Sequence, residues 1–130
     1  MSETTGRLRA HPTDRFAGSS HCIDLSEALA KLRAEAHDGE SGHRQVTVFH
    51  RAPVTQVLFS FDSGSELADH SARGLVTIHA IEGRLAVNAE GETYDLLAGQ
   101  IVVLSPGVRH SVRAAETSAM LLTVHLEASS

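Results

Sequence analysis

The sequence predicts an all-β domain, a sandwich or barrel of short strands, preceded by one short helix. From Gln45 onward, apolar and polar residues alternate with the two-residue period of β-strands, and β-branched residues become common. Turn residues such as Glu82-Gly83 and Glu90-Gly91 interrupt the chain at short intervals, which is typical of barrels and sandwiches. Before Gln45, one stretch has apolar residues at helical spacing instead.

The length and the composition along the chain indicate one domain with a polar N-terminal segment. A chain of 130 residues is large enough to bury a core without disulfides. Residues 1–20 are rich in Ser, Thr, Arg and Gly and have no sustained apolar period, so we expect a mobile leader. We expect residues 21–44 to form the helix and a linker, and residues 45–130 to form the barrel.

The predicted helix begins at Asp24, because Asp24-Leu-Ser-Glu27 has the pattern of a capping box. Gly39 has the position of a C-cap glycine. The sequence therefore predicts one amphipathic helix over about residues 25–37 that packs across the barrel. Its apolar residues at helical spacing are Leu25, Ala28, Leu29, Leu32 and Ala36.

The strands that follow are predicted from alternation and turns. The first two span residues 45–50 and 54–61. Residues 84–88 and 92–96 are expected to form a hairpin, since three residues leave little room for another connection. Residues 118–125 are expected to form the closing strand.

Charge and composition limit the partners and the compartment. Eleven basic and sixteen acidic residues give a formal charge of −5, and the arginines are scattered, which argues against a nucleic-acid partner. Cys22 is the only cysteine, so an internal disulfide is excluded and nothing indicates an oxidising compartment. The chain shows neither a signal peptide nor an apolar run long enough to span a bilayer. We therefore expect a cytoplasmic protein without a membrane partner.

One stretch of the chain carries a spaced glycine and histidine pattern. Gly64 is followed after five residues by His70, and Gly83 closes the stretch. This spacing resembles the first motif of the cupin family, in which the same glycines flank His-x-His and a glutamate. Ala72 stands at the second histidine position and Val76 at the glutamate position. Two of the three metal ligands that this motif implies are therefore absent.

A second stretch resembles the second cupin motif. Gly99, Gly107 and His110 match it, whereas Ser105 replaces its first proline and Ala114 its asparagine. Together the two motifs cover roughly residues 54–125. The resemblance implies a double-stranded β-helix, the jelly-roll barrel of small RmlC-like proteins, in which both motif histidines point into the mouth of the barrel.

The resemblance also implies a ligand pocket in the barrel. Its expected lining is His70, Ala72, Val76, Ile78 and His110. His70 and His110 are the tentative metal ligands, an incomplete set for a divalent Zn, Fe, Ni or Cu ion. The same two histidines are the candidates for a general acid and base, because imidazole titrates near pH ~6.5.

Strand alternation tests the other candidates. Taking the family's glutamate position as inward, His79 faces outward and is expected to serve in packing or at a dimer contact. Glu66 has the same parity as His70 but is four residues away, roughly 13 Å along a strand. His50 and His125 remain open as a third ligand, because the sequence does not give their register.

Three functions remain open, and so does the question of whether the protein is an enzyme. The first is a cupin that binds a small polar or carboxylate ligand through His70 and His110. The second is a metal-dependent oxygenase or isomerase with one recruited histidine. The third is a structural dimerisation module with a vestigial pocket. In every case we expect a C2 homodimer, since an open barrel has strand edges to cover.

Overall fold

The structure, a computed structural model, describes residues 19–35 and 42–127 of the chain. Within them, one helix is followed by nine strands, which confirms the predicted all-β class with a short N-terminal helix. Most of the predicted leader, residues 1–18, lies outside the described part. In chain order the elements are α1 (Leu25–Ala34), β1 (His43–Arg51), β2 (Val54–Phe61), β3 (Glu66–His70), β4 (Gly74–Glu82), β5 (Arg84–Ala89), β6 (Glu92–Leu97), β7 (Ile101–Leu104), β8 (His110–Ala114) and β9 (Ser118–Leu126).

Helix α1 begins where the sequence predicts. The side chain of Asp24 accepts a hydrogen bond of 3.0 Å from the backbone N–H of Glu27, which confirms Asp24 as the N-cap. This bond satisfies one of the amide groups that have no partner in the first turn of a helix. In the described part of the chain, no helix is long and apolar enough to cross a membrane.

The end of α1 differs from the prediction. Ala34 is the last helical residue and Glu35 already has extended backbone, so the predicted end near residue 37 is wrong. Leu32 is the last residue of α1 that is buried, and the helix ends two residues later. Short helices depend on the packing of their apolar face more than on propensity, which explains this early end. Ala36 and Gly39, on which the longer prediction relied, lie outside the described residues.

The strands form two antiparallel sheets. The five-stranded sheet has the order β1-β2-β9-β4-β7, and the four-stranded sheet has the order β3-β8-β5-β6. The predicted hairpin is confirmed as β5 and β6. Strand β9, predicted as the closing strand, lies inside the larger sheet and pairs with β2 and β4. From β2 to β9 the chain passes repeatedly between the sheets, which is the winding of the predicted double-stranded β-helix.

The main core fills the space between the sheets. Along β4, Val76 and Ile78 are buried in this core, while Thr77 and His79 on the opposite face are only partly buried, as the alternation predicts. The buried residues of this core are Phe59, Phe61, Val76, Ile78, Ala80, Leu85, Val87, Ala89, Leu96, Val102, Leu104, Val112, Ala114 and Met120.

A smaller core lies under the helix. Leu29 and Leu32 of α1 pack against Val48, Leu58 and Ala119 on the outer face of the five-stranded sheet. The helix therefore covers the part of that face formed by β1, β2 and the start of β9. This confirms the prediction that the helix packs across the barrel.

Gly83 shows why the first motif ends on glycine. Its φ of +80° lies in the left-handed region, and a Cβ at this position would collide with the side chain of Ser118 and the backbone of Thr117. The close approach lets the Ser118 hydroxyl accept a hydrogen bond of 3.0 Å from the backbone N–H of Arg84. The glycine thus joins the turn between β4 and β5 to the start of β9.

Candidate functional site

His70 and His110 lie side by side on the four-stranded sheet. His70 ends β3 and pairs directly with His110, the first residue of β8. The centroids of their rings are 4.1 Å apart, and the ring planes are inclined at 60°. Ala89 of β5 pairs with His110 on its other side. The structure therefore brings together the two histidines that the sequence singled out.

A β-bulge in β3 places His70 on the inner face of the sheet. Leu67 pairs with Val112 and His70 pairs with His110, so β3 advances three residues where β8 advances two. Without the bulge, three steps would put Leu67 and His70 on opposite faces. Val112 belongs to the main core and Leu67 packs against it, so His70 also faces inward.

The bulge overturns the predicted parity of Glu66. This residue was expected to share the face of His70, but it is exposed and neighbours the inward-facing Leu67 on the strand. The extra residue reverses the alternation, and the sequence pattern does not reveal it. Asp69 is also exposed, with its carboxylate 3.9 Å from the guanidinium group of Arg109. The acid beside His70 therefore does not orient its ring.

Backbone carbonyl groups orient both rings instead. Nδ1 of His70 lies 2.8 Å from the carbonyl oxygen of Ala68, and Nδ1 of His110 lies 3.1 Å from that of Val108. A carbonyl oxygen can only accept, so each Nδ1 carries a proton and donates it. In the neutral ring, Nε2 is then left with a lone pair.

His110 is the more buried member of the pair. Its side chain is 1% exposed, and among the described residues its Nε2 has no hydrogen-bond partner. Burial is the largest influence on its pKa and lowers it; the Val108 carbonyl raises it, His70 lowers it and Asp69 raises it. Because an unpaired buried polar atom costs about 1–3 kcal/mol, a histidine at this position calls for a functional reason.

The predicted lining residues lie in or against the main core. Val76 and Ile78 are buried between the sheets, and Ala72 is partly buried against the same core. The carbonyl oxygen of Ala72 accepts a hydrogen bond of 2.9 Å from the backbone N–H of Gly107, which joins the two motif loops. Contact of these three residues with a ligand stays a prediction.

The other candidate histidines do not join the pair. His125 is exposed and lies directly opposite Leu75, an exposed residue on the outer face of β4. His50 is exposed at the end of β1, where its Nδ1 lies 2.8 Å from the hydroxyl of Thr55. His79 pairs with Ile101 on the outer face, as predicted. Register thus turns His125 and His79 away from the pair. His50 pairs with Thr55 in the inward-facing row of Val124, but within the described residues it does not form a three-ligand group with His70 and His110.

The residues at the pair do not complete a metal site. Stable transition-metal sites take three or four protein ligands. Within the described ranges, no three His, Cys, Asp or Glu residues are grouped so that they could hold a metal ion. The Nε2 lone pairs of His70 and His110 suit Zn, Fe, Ni or Cu chemically, but Ala72 and Val76 stand at the positions of the two missing ligands.

A separate cavity lies beside the start of α1, and the sequence did not predict it. Its volume is about 440 Å³. Cys22 is an exposed free thiol in its lining, away from the histidine pair. The segment before α1 and Val48 of β1 both line the cavity, and sequence patterns do not define such packing. Its lining residues are Ser20, His21, Cys22, Ile23, Asp24, Glu27, Ala28, Lys31 and Val48.

Solved structures share this fold. A conserved protein of unknown function from Streptococcus pyogenes, SPY1581, is 26% identical with a TM-score of 0.64, covering 74% of this chain and 90% of that one. An RmlC-like cupin from Shewanella frigidimarina is 24% identical with a TM-score of 0.65, covering 72% and 84%. Salicylate 1,2-dioxygenase from Pseudoaminobacter salicylatoxidans is 19% identical with a TM-score of 0.60, covering 78% of this chain but 30% of the enzyme.

The family comparison agrees with the fold and the motifs. No curated protein sequence matches the chain. The similar structures include a dioxygenase and a protein of unknown function, so the shared fold does not define an activity. The sequence model of the family described as "Cupin domain" matches residues 57–125, which is more than half of the chain and includes both histidines of the pair. The chain therefore belongs to the cupin family.

Proposed function

We propose that the barrel binds a small polar ligand through the imidazole rings of His70 and His110. The observation that carries this proposal is the buried Nε2 of His110, which has no partner among the described residues. Protein interiors rarely leave such an atom unpaired. A ligand that bonded to it would recover the free energy lost by burying the imidazole.

His70 would be the first contact of such a ligand. It is the more exposed ring of the pair and packs against His110. Its Nδ1 is engaged with Ala68, so Nε2 is the ring nitrogen available for a ligand. The apolar residues between the sheets would exclude water from the bound molecule, which is usual for small-molecule sites.

Histidine side-chain NMR tests the proposal directly. The full chain is screened against small metabolites that include hydroxy compounds, sugars and carboxylates, while the ring resonances of His70 and His110 are followed. A ligand of this site shifts both rings in a saturable way. Its affinity falls by about tenfold or more in His110→Leu, the factor that corresponds to 1.4 kcal/mol.

His125→Ala is the matched control, because His125 is an exposed histidine on the outer face of the barrel. Binding is expected to be unchanged in this variant. If every compound that binds the wild type binds the His70→Ala/His110→Leu double variant equally well, the proposal is wrong.

The metal-dependent alternative is weaker. Orientation of Nδ1 by a backbone carbonyl is also the usual arrangement for metal-bound histidines, which favours it. The incomplete ligand set counts against it. Metal content measured by mass spectrometry on protein purified without chelator separates the two. A stoichiometric transition metal that disappears in the double variant would overturn the metal-free proposal.

We also propose that the chain forms a homodimer through the outer face of β4 and β7. Strand β7 lies at the edge of its sheet, and its Ile101 and Val103 are 55% and 57% exposed. Leu75 on β4 is exposed on the same face, and the neighbouring Thr77 and His79 carry no acidic or ammonium group. An exposed apolar strand at a sheet edge invites pairing with a second copy.

Sedimentation equilibrium tests the dimer. Val103→Lys is expected to yield monomer, because it buries a charge in the proposed interface. Leu97→Lys is the matched control, since Leu97 is an apolar residue of similar exposure, 50%, at the end of β6 in the other sheet. A monomeric wild type, or loss of the dimer in both variants, would contradict this interface.

A further inference from the structure

We propose that the ligand group that reaches His110 is a hydroxyl that donates a hydrogen bond, and that a carboxylate is rejected there. This inference rests on the proposed function and narrows the class of ligand from polar molecules in general to neutral hydroxyl compounds. It follows from the hydrogen bonds of the pair, from the side chains around it and from its burial.

The hydrogen bonds leave both rings with an acceptor. Each Nδ1 donates its proton to the carbonyl two residues earlier in the chain, Ala68 for His70 and Val108 for His110. Where a ring carries only this one proton, its Nε2 presents a lone pair. A carboxylate is acceptor-only, so two acceptors would face each other. A hydroxyl donates one proton and fits an imidazole lone pair.

The row of the pair provides no lysine or arginine to balance a carboxylate. Its next inward residue is Ala89 on β5. In the opposite sheet, the inward row of Val76 and Val124 continues to Thr55 and to His50, which is exposed and hydrogen-bonded to Thr55. The closest arginine in sequence, Arg109, is exposed and lies 3.9 Å from the carboxylate of Asp69. Moving a carboxylate into such a place without a cation is costly. The same cost applies to an ammonium group, which leaves a neutral donor, of which the hydroxyl is the type we propose.

The burial of His110 disfavours a charge on its ring. Burial is the chief influence on its pKa and lowers it, although the Val108 carbonyl and Asp69 partly oppose this. An imidazolium, whose Nε2 could donate to a carboxylate while Nδ1 stays bonded to Val108, is disfavoured by this burial. The hydrogen bonds of the pair and the burial of His110 thus both favour a neutral hydrogen-bond donor as the ligand group.

Tautomer measurement is the first arm of the test. Long-range nitrogen–proton correlation NMR of the full chain at about pH 8, above the ordinary histidine pKa of ~6.5, reports which nitrogen carries the proton. We expect the proton on Nδ1 of both His70 and His110. A proton on Nε2 of His110 overturns the inference, while binding through the pair can still be demonstrated and the proposed function survives.

Binding of matched compounds is the second arm. Three pairs are compared at equal ionic strength: cyclohexanol and cyclohexanecarboxylate, phenol and benzoate, ethylene glycol and oxalate. We expect the alcohol of at least one pair to shift Nε2 of His110 in a saturable way, with its carboxylate partner at least about tenfold weaker, a difference of 1.4 kcal/mol. His110→Leu should abolish the difference.

The outcomes distinguish the two proposals. If the carboxylate binds as tightly as the alcohol or more tightly, the hydroxyl inference is wrong and the ligand-binding function stands. If neither member of any pair shifts either ring, while the tautomers are as expected, the binding function fails and the inference fails with it. His125→Ala again serves as the variant in which nothing should change.

Discussion

Two neighbouring rows of side chains on the inner face of the four-stranded sheet differ in chemistry. One row runs Leu67, Val112 and Val87 across β3, β8 and β5, and it belongs to or packs against the core. The next row runs His70, His110 and Ala89. The rows are separated by two residues on β8 and β5 but by three on β3, because of the bulge.

The two rows are expected to serve different purposes: the apolar row stabilises the fold, and the histidine row binds the ligand. Burial of apolar side chains stabilises the fold, whereas burial of an imidazole with an unpaired nitrogen costs free energy. At the end of an otherwise apolar face, the chain therefore carries a buried imidazole that stability alone does not explain. Variants in the apolar rows should change stability, and variants in the histidine row should change binding.

The largest expected effect on stability is in the apolar interior. Leu85, fully buried in the next row of the same sheet, is the test position. Leu85→Ala should lower the free energy of unfolding by about 2–5 kcal/mol, because it removes buried methyl groups and leaves a cavity. Leu97→Ala, at an exposed position on β6, should change it by no more than about 0.5 kcal/mol. Urea unfolding measures both, and equal effects would contradict the assigned burial.

The second effect concerns the histidine row itself. His110→Leu removes an unpaired acceptor, which recovers about 1–3 kcal/mol, and loses the bond to Val108, which costs about 0.5–1.5 kcal/mol. We therefore expect a change in stability between a loss of about 0.5 and a gain of about 2.5 kcal/mol, together with loss of ligand binding. Urea unfolding and ligand titration measure the two properties on the same preparation. A loss as large as that of Leu85→Ala would show that His110 serves mainly in folding.

The third effect is a pH dependence that the apolar rows cannot produce. Because the pKa of His110 is lower in the folded chain than in the unfolded one, the unfolded state takes up its proton first as the pH falls. The resulting stability is present above the unfolded pKa of ~6.5 and is lost as the pH drops below it towards the folded pKa. The stability of the wild type relative to His110→Leu should therefore fall between about pH 7 and acid. A difference that rises towards acid would contradict the lowered pKa.

The smallest effect is expected on the outer face of the same sheet. There the guanidinium group of Arg84 bonds to the carboxylate of Asp95 with an Nε to Oδ1 distance of 2.9 Å, and this contact lowers the pKa of Asp95. Both side chains are about half exposed, so solvent screens the pair. Asp95→Asn should give a urea midpoint close to that of the wild type. A shift comparable to that of Leu85→Ala would mean that the pair holds the hairpin in place.

Much of this arrangement could be predicted locally. The N-cap at Asp24, the hairpin of β5 and β6 and the inward face of β4 follow from capping, turn length and alternation, which depend on residues close in sequence. The motif spacing correctly paired His70 with His110. The early end of α1 was missed because packing of Leu32, a long-range contact, decided it.

The sequence by itself therefore determined the class of fold, the family and the two histidines, because periodicity, glycine spacing and residue type are written along the chain. Only the tertiary structure decided that a bulge in β3 brings His70 onto the inner face, that His125 lies on the outer face, and that β9 lies inside its sheet. The physical reason is that strand register depends on partners distant in sequence. A bulge of one residue moves every later side chain of that strand to the opposite face of the sheet, and the hydrophobic pattern of the sequence does not reveal it.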